Sequence, residues 1–365
     1  MHAFEDFRSG FPVFTHSTYL NTAAWGLMHE DLQEWRQEHD LDFLIGGSSF
    51  KIGALQVLDQ TRQRLGACFG CHPDRVALVP NFSIGINLLA EGLAEGSAVL
   101  LLEGDYPSVN WPMEARFPCR KVPLGPDVET RIREALRETP ADVLALSLVQ
   151  WIGGLRIGMD FLRTLKEEFP ELLIIADATQ YAGAFPLDFD ASGVDVIGAS
   201  GYKWLLAGNG NGFMFFSEKA AERIQVKSTG FNAAEGDLGK KDALSLARKL
   251  EPGHLDTLNF GSLWFMLGRL QELGLDRIGA YNEVFCAQVA ETLHELGLLP
   301  EGMAKRPLHS GIFNIPDRQG WYDALKAEDV VCARRGGGIR LSFHCYNSPD
   351  DLDMVVSTLR KAGGL

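Results

Sequence analysis

The sequence predicts an α/β protein, with a large domain built on a mainly parallel sheet and a smaller α+β domain at the C-terminal end. Two observations carry this. Between residues 75 and 216, short continuously apolar segments alternate with amphipathic ones, as strands do when helices cover both faces of their sheet. Beyond about Gly253 the alternation gives way to long helical patterns followed by shorter strands. A third observation bounds the answer. At 365 residues, 46% hydrophobic and 22% charged, the chain can bury a sizeable core without cross-links.

The elements follow in order. Strands are expected over 75–79, 98–102, 142–149, 172–176, 194–199 and 212–216, with helices over 84–93, 129–138 and 159–169 between several of them. Residues 227–250, rich in Gly, Lys, Asp and Ala, read as a mobile or interface segment. Two long helices, 263–273 and 276–296, open the smaller domain; strands near 308–315 and 339–343 and a last helix over 349–361 complete it.

Charge and cysteine usage narrow the function. The net charge of −14 argues against nucleic acid or an anionic membrane as partner. The N-terminal residues lack the cationic and apolar regions of a signal peptide, and the longest apolar stretch, 143–155, is interrupted by Ser147 and Gln150, so the expected location is the cytoplasm. The six cysteines are scattered, which makes a disulfide framework unexpected. Cys68-Phe69-Gly70-Cys71-His72 has the letters of a haem attachment site or half a zinc site. With no second ligand pair nearby it reads as a helix end turning into a strand, and no metal is expected.

In open α/β sheets, ligands bind beyond the carboxyl ends of the strands, so the polar residues that follow each strand are the candidates. Ser83 follows the first strand and precedes a helix start, whose free amides suit a phosphate. Tyr106 follows the second strand, and Gln150 and Trp151 the third. Asp177 ends the fourth with Gln180 close behind, and the fifth runs into Ser200-Gly201-Tyr202-Lys203-Trp204. Phosphate donors, an aromatic plate, a buried carboxylate and a lysine are the parts a pyridoxal phosphate site requires. A Schiff-base lysine needs a lowered pKa, which burial and neighbouring cations supply, and Lys203 is the best placed. The glycine-rich Gly208-Asn209-Gly210-Asn211-Gly212 leads into a strand rather than a helix, so it reads as a hairpin turn and not as a dinucleotide loop.

These residues together resemble the class V aminotransferase family of fold-type I pyridoxal phosphate enzymes, which includes cysteine desulfurases, kynureninases and isopenicillin-epimerase-like proteins. The motifs that carry the resemblance are Tyr19-Leu20-Asn21-Thr22-Ala23-Ala24, Asn81-Phe82-Ser83-Ile84-Gly85, Asp105-Tyr106-Pro107-Ser108, Asp177-Ala178-Thr179-Gln180, Ser200-Gly201-Tyr202-Lys203-Trp204 and Gly338-Ile339-Arg340-Leu341-Ser342. The resemblance implies pyridoxal 5'-phosphate as cofactor, Lys203 as the Schiff-base lysine and Asp177 as partner of the ring nitrogen. It further implies Gln180 as donor to the ring's phenolic oxygen, Tyr106 as stacking plate and Trp151 near the ring. Ser83, Ser200 and Tyr202 would hold the phosphate, Ile84 would belong to the cofactor-binding set, and Thr257 would reach the phosphate from a partner subunit in a homodimer with composite sites. Asn21, Ala24 and Arg340 would bind a small amino acid or keto acid, Arg340 through its α-carboxylate. The expected division is an N-terminal segment, 1–30, packing with the small domain, a large cofactor-binding domain, 31–252, and a small domain, 253–365.

Two departures stand out. Tyr202 occupies a position where the family often has histidine. The desulfurases carry a nucleophilic cysteine in a loop well ahead of the arginine, whereas here Cys332 lies only eight residues before Arg340 without the expected flanking pattern. Aminotransferase is therefore the first reading, with a lyase or epimerase of the same fold as the alternative and a non-catalytic binding protein behind both.

Overall fold

The computed structural model describes residues 2–234, 237–240, 243–363 and 365. Strand β1 is Thr18–Tyr19, and the central sheet takes β2 (Val76–Val79), β3 (Val99–Leu102), β4 (Cys119–Val122), β5 (Val143–Ser147), β6 (Leu173–Asp177), β7 (Val196–Ser200) and β8 (Gly212–Phe216). Its order is β2-β8-β7-β6-β5-β3-β4. The run from β4 to β7 is parallel, and β8 joins antiparallel to both β7 and β2.

The sheet forms where the apolar runs are because both its faces are covered. Alternate residues go to opposite sides: Leu100, Leu144 and Ile174 belong to one core cluster, and Val99, Leu101, Val143 and Ile175 to another. Strand β4 escapes the sequence reading for the converse reason. Its residues Cys-Arg-Lys-Val sit at the sheet edge and are only partly buried, so the apolar signal is missing. Helices Glu30–Gly46 and Pro107–Glu114, and Phe50–Phe69 apart from its end at Cys68, are not anticipated and are likewise poor in clean amphipathic pattern; the first exposes Leu41, Phe43, Leu44 and Ile45.

In the smaller sheet, β9 (Ile312–Pro316), β11 (Ala333–Arg335) and β12 (Gly338–Ser342) pair antiparallel in the order β11-β12-β9, while β10 (Val330–Val331) pairs parallel with β1. The N-terminal segment is thereby bound to residues more than 300 positions away. Arg8 donates from both guanidinium nitrogens to Asp351 at 2.7 and 3.0 Å. Asp351 also accepts from Asn347 and from the Ser348 amide that starts the last helix, Pro349–Lys361.

Helix Thr257–Leu273 begins six residues earlier than its apolar pattern, because Asp256 caps the amides of Leu258 and Asn259 at 2.9 and 3.0 Å. It lies against Glu30–Gly46 and Phe50–Phe69: Arg36 donates to Ser262 Oγ at 2.7 Å and Thr61 to the Phe260 carbonyl at 3.2 Å. Of the segment 227–250, residues 235, 236, 241 and 242 lie outside the described residues; the rest includes a 3-10 turn, Leu238–Lys240, and a short helix, Leu246–Lys249. The Cys68 to His72 stretch is the end of helix Phe50–Phe69, closed by Gly70 in the left-handed conformation at φ +64°. All six cysteines are free, and no group of metal-binding side chains occurs among the described residues.

Candidate active site

The parallel strands β3, β5, β6 and β7 end at one edge of the sheet, where Ser147 stands opposite Asp177 and Asp177 opposite Gly198. A cavity of about 580 Å³ opens there, lined by Ala24, Ser83, Ile84, Tyr106, Ser200, Tyr202 and Lys203 among others.

Lys203 is buried in the turn that follows β7, with its amine 5.5 Å from the ring centroids of both Tyr106 and Tyr202. Burial lowers its pKa to about 8; Arg340 and Arg335 push the same way, against Asp177. The turn is tight. Leu206, fully buried, holds φ +58°, a conformation costly for a branched side chain, and its amide returns to the Lys203 carbonyl at 3.2 Å. From the other side the Gly26 amide donates to the Tyr202 carbonyl at 2.8 Å, and a Cβ at Gly26 would stand 2.0 Å from the Lys203 carbonyl oxygen.

Asp177 is buried at the end of β6 and accepts from the Thr179 amide at 2.8 Å. Its pKa rises to about 6, because burial, and secondarily Asp105, outweigh the Thr179 hydrogen bonds and Lys203. Gln180 is held at both ends, donating to the Ala23 carbonyl at 3.0 Å and accepting from Trp204 Nε1 at 2.6 Å. Asp105, which sequence reasoning passed over, accepts from the Tyr106 amide and the Ser147 amide, both at 2.7 Å, and so fixes Tyr106 against the end of β5.

The helix behind Ser83 starts at Phe82 rather than Ile84, with Asn81 as its cap. Two of its first amides already have partners: Ile84 N–H donates to Asn81 Oδ1 and Phe82 N–H to Ser200 Oγ, both at 2.9 Å. The anion-binding capacity therefore rests on hydroxyls more than on the amides expected. Ser83 Oγ lies 2.7 Å from Ser108 Oγ, so Ser108 joins the set.

Arg340 is buried on β12 and donates from Nη1 to the Trp151 carbonyl at 2.7 Å, while its Nε has no partner. Burial, then Arg335, lowers its pKa to about 10. The Trp151 ring meets Tyr106 edge-on at 5.7 Å, and its buried Nε1 is unpartnered, as is Asn21 Oδ1. Thr257 is not part of the cavity lining in a single chain; its hydroxyl lies 3.0 Å from His39 Nε2. Asn209 and Gly210 of the glycine-rich run line the cavity, and Asn211 fixes that run through the carbonyls of Ala207, Gly208 and Asn259. Cys332, between β10 and β11, is buried, and burial pushes its thiol up to about 11.

A lysine with a lowered pKa, a buried carboxylate, an aromatic plate, a hydroxyl cluster and a buried guanidinium with an unpartnered N–H converge on one edge of the sheet. The unpartnered buried donors and the neutralisable lysine fit pyridoxal phosphate with an amino acid.

Comparison with known proteins agrees. The family model described as Aminotransferase class-V matches residues 44–355. The chain is 25% identical over 365 residues to an uncharacterized aminotransferase, YcbU, of Bacillus subtilis, covering 98% of each. It is 22% identical over 399 residues to a probable cysteine desulfurase of Methanothermobacter thermautotrophicus, covering 99% of this chain and 98% of that one. To the isopenicillin N epimerase of Amycolatopsis lactamdurans it is 26% identical over 344 residues, 82% of this chain and 83% of that one. Among solved structures, a C-DES mutant with glycine covalently linked to its PLP cofactor superposes with a TM-score of 0.84 at 17% identity, over 96% of this chain and 98% of that one.

Proposed function

The chain belongs to the class-V aminotransferase family, whose cofactor is pyridoxal 5'-phosphate, and we propose that within it this protein is an aminotransferase acting on a small amino acid through deprotonation at Cα. The observation that carries the reading is the buried Lys203, its pKa lowered to about 8, lining the cavity at the strand ends and close enough to Asp177 and Arg340 for both charges to act on it. When bound, the cofactor supplies an aldehyde for amines and a ring that takes up the electrons left at Cα.

The chain's own residues do the rest. Ser83, Ser108, Ser200 and Tyr202 would hold the phosphate. Tyr106, fixed by Asp105, would be the plate for the ring, with Trp151 beside it and Ile84 at the mouth of the cavity. Asp177, fixed by Thr179, would keep a proton on the ring nitrogen, and Gln180, whose amide also donates to the Ala23 carbonyl, would be the donor to the phenolic oxygen. Arg340 binds the α-carboxylate as a fork, beside Asn21 and Ala24. Lys203, whose amine burial makes easier to deprotonate, takes the Cα proton and returns one.

Transamination is favoured over sulfur transfer by Cys332. A nucleophilic thiol needs exposure and a lowered pKa, and Cys332 has neither. The working unit we propose is a homodimer, with Thr257 reaching the partner's phosphate. The exposed Trp25 and Ile84 beside the cavity, 53% and 46% accessible, support a second copy covering its mouth.

The test is incubation of holoenzyme with a panel of isotope-labelled amino acids and keto acid acceptors, read by mass spectrometry. Label arriving in a new amino acid supports transamination. Ammonia or sulfide released without acceptor makes the lyase the better reading, and inversion at Cα makes it the epimerase.

A further inference from the structure

The substrate-side sheet carries a second arginine that the reading above leaves without a task. Strands β11 and β12 form a hairpin whose two turn residues, Gly336 and Gly337, hold φ +59° and +77°, as a two-residue type I′ turn requires. The register is thereby set: Ala333 stands opposite Arg340 and Arg335 opposite Gly338. Directly opposed residues share a face, and so do residues two apart on one strand. Arg335 and Arg340 therefore project from the same face as diagonal neighbours, at roughly 7–8 Å between backbones.

Contacts bind this pair to the site. Arg340 donates to the Trp151 carbonyl, and the Arg335 guanidinium lies 5.9 Å from the centre of the Trp151 ring. The turn is seated on the adjoining residue, since a Cβ at Gly336 would stand 2.3 Å from Ile152 Cγ2. The Arg335 carbonyl accepts from Asn314 Nδ2 at 2.9 Å, which holds the strand end in place. The neighbour on the opposite face behaves differently: Arg334 is satisfied by Asp317 at 2.7 Å and lies over Tyr322. No acidic side chain lies within ion-pair distance of Arg335 or Arg340 among the described residues, although the chain is acidic overall. The charge of Arg335 is felt inside the site, where it helps lower the pKa of both Arg340 and Lys203.

Two like charges on one face, both turned to the same tryptophan and neither neutralised by protein, are a binding arrangement for two anionic groups. We propose that Arg335 is a specificity-determining residue that receives the side-chain carboxylate of a dicarboxylic amino acid whose α-carboxylate is held by Arg340. This rests on the reading of Arg340 as the α-carboxylate site and names the substrate class of that site. The exposed position of Arg335, at the hairpin tip rather than in the core, suits a group that must meet substrates differing in side chain.

The experiment is calorimetric titration of holoenzyme with succinate and, separately, with propionate, in wild type, R335Q and R335K. Wild type is expected to bind succinate about ten- to a hundredfold more tightly than propionate, the range of one charge-assisted hydrogen-bonded contact. R335Q should abolish most of that ratio, and R335K, which keeps the charge without the fork, should retain part of it. Equal affinity for the two acids in wild type, or an unchanged ratio in R335Q, overturns the proposal. Near-identical far-ultraviolet circular dichroism of the three proteins excludes misfolding as the cause. The outcome is separable from the assigned reaction, because these acids have no amino group: a protein that discriminates succinate but transfers no amino group retains the anion site and loses the aminotransferase reading.

Discussion

Replacing Lys203 by methionine should make the cofactor-stripped protein more stable, not less. Burial has lowered the lysine's pKa from 10.5 to about 8. At about 1.4 kcal/mol for each pH unit, keeping that amine charged in the fold at neutral pH disfavours the folded state by about 3 kcal/mol relative to the unfolded chain. The folded state binds fewer protons than the unfolded state between the two pKa values. The penalty is therefore full below pH 8 and fades as pH rises toward 10.5. Methionine keeps the unbranched length and removes the ionisable group. Part of the gain is lost because Lys203 helps to keep Asp177 ionised. A net stabilisation of about 2–3 kcal/mol at pH 7, shrinking to about 1 kcal/mol at pH 10, is the expected result. Urea unfolding of both proteins at the two pH values, followed by circular dichroism, measures it. A variant less stable than wild type at pH 7, or a gap that does not change with pH, would refute the reasoning. Retained turnover in the same variant would remove Lys203 from its assigned role.

Three further outcomes follow from the same geometry. Asp177→Asn should bind cofactor but slow exchange of the substrate Cα proton by about 3–4 kcal/mol in barrier, as measured by single-turnover exchange into deuterated water; near-normal exchange would mean that the carboxylate is only a turn former. Arg340→Lys should weaken amino-acid binding by about 1–3 kcal/mol and leave cofactor affinity nearly unchanged, because the ammonium cannot fork; two parallel titrations decide, and equal losses would assign the residue to the fold. Gly26→Ala puts a Cβ against the Lys203 carbonyl and should move the lysine turn, so that turnover falls well before the unfolding midpoint does; normal turnover would show that the turn does not depend on this contact.

The strands were legible because each is buried on both faces, which leaves an uninterrupted apolar run. Candidate residues at their ends were legible for the same reason, since a polar residue terminating such a run has to face the sheet edge. Asp177, Lys203 and Tyr106 were found that way. Asp105 and Ser108 stood in a quoted motif, but their tasks depend on the Ser147 amide and on Ser83, neither nearby in sequence. The helix cap at Asn81 was missed because a reading that starts the helix at its apolar stripe places the first turn two residues late. Arg335 and Arg340 could each be read as an arginine on a strand. That they share a face is a property of the hairpin register, which Gly336 and Gly337 set together.

The binding of β1 to β10, with Gly26 under the lysine turn, carries a consequence for how the molecule is made. Residues 18–23 leave the ribosome more than 300 positions ahead of their partners at 330–347. At about 5–20 residues per second, the first strand waits some 15–60 s for its neighbour. During that interval the Lys203 turn can form and the Gly26 amide can already reach the Tyr202 carbonyl, while the pairing of β1 with β10 and of Asn21 with Ser342 is still open. A nascent chain stalled before residue 330 would contain the lysine, the aspartate and Gly26, and still lack the strand that holds residues 18–23 in place.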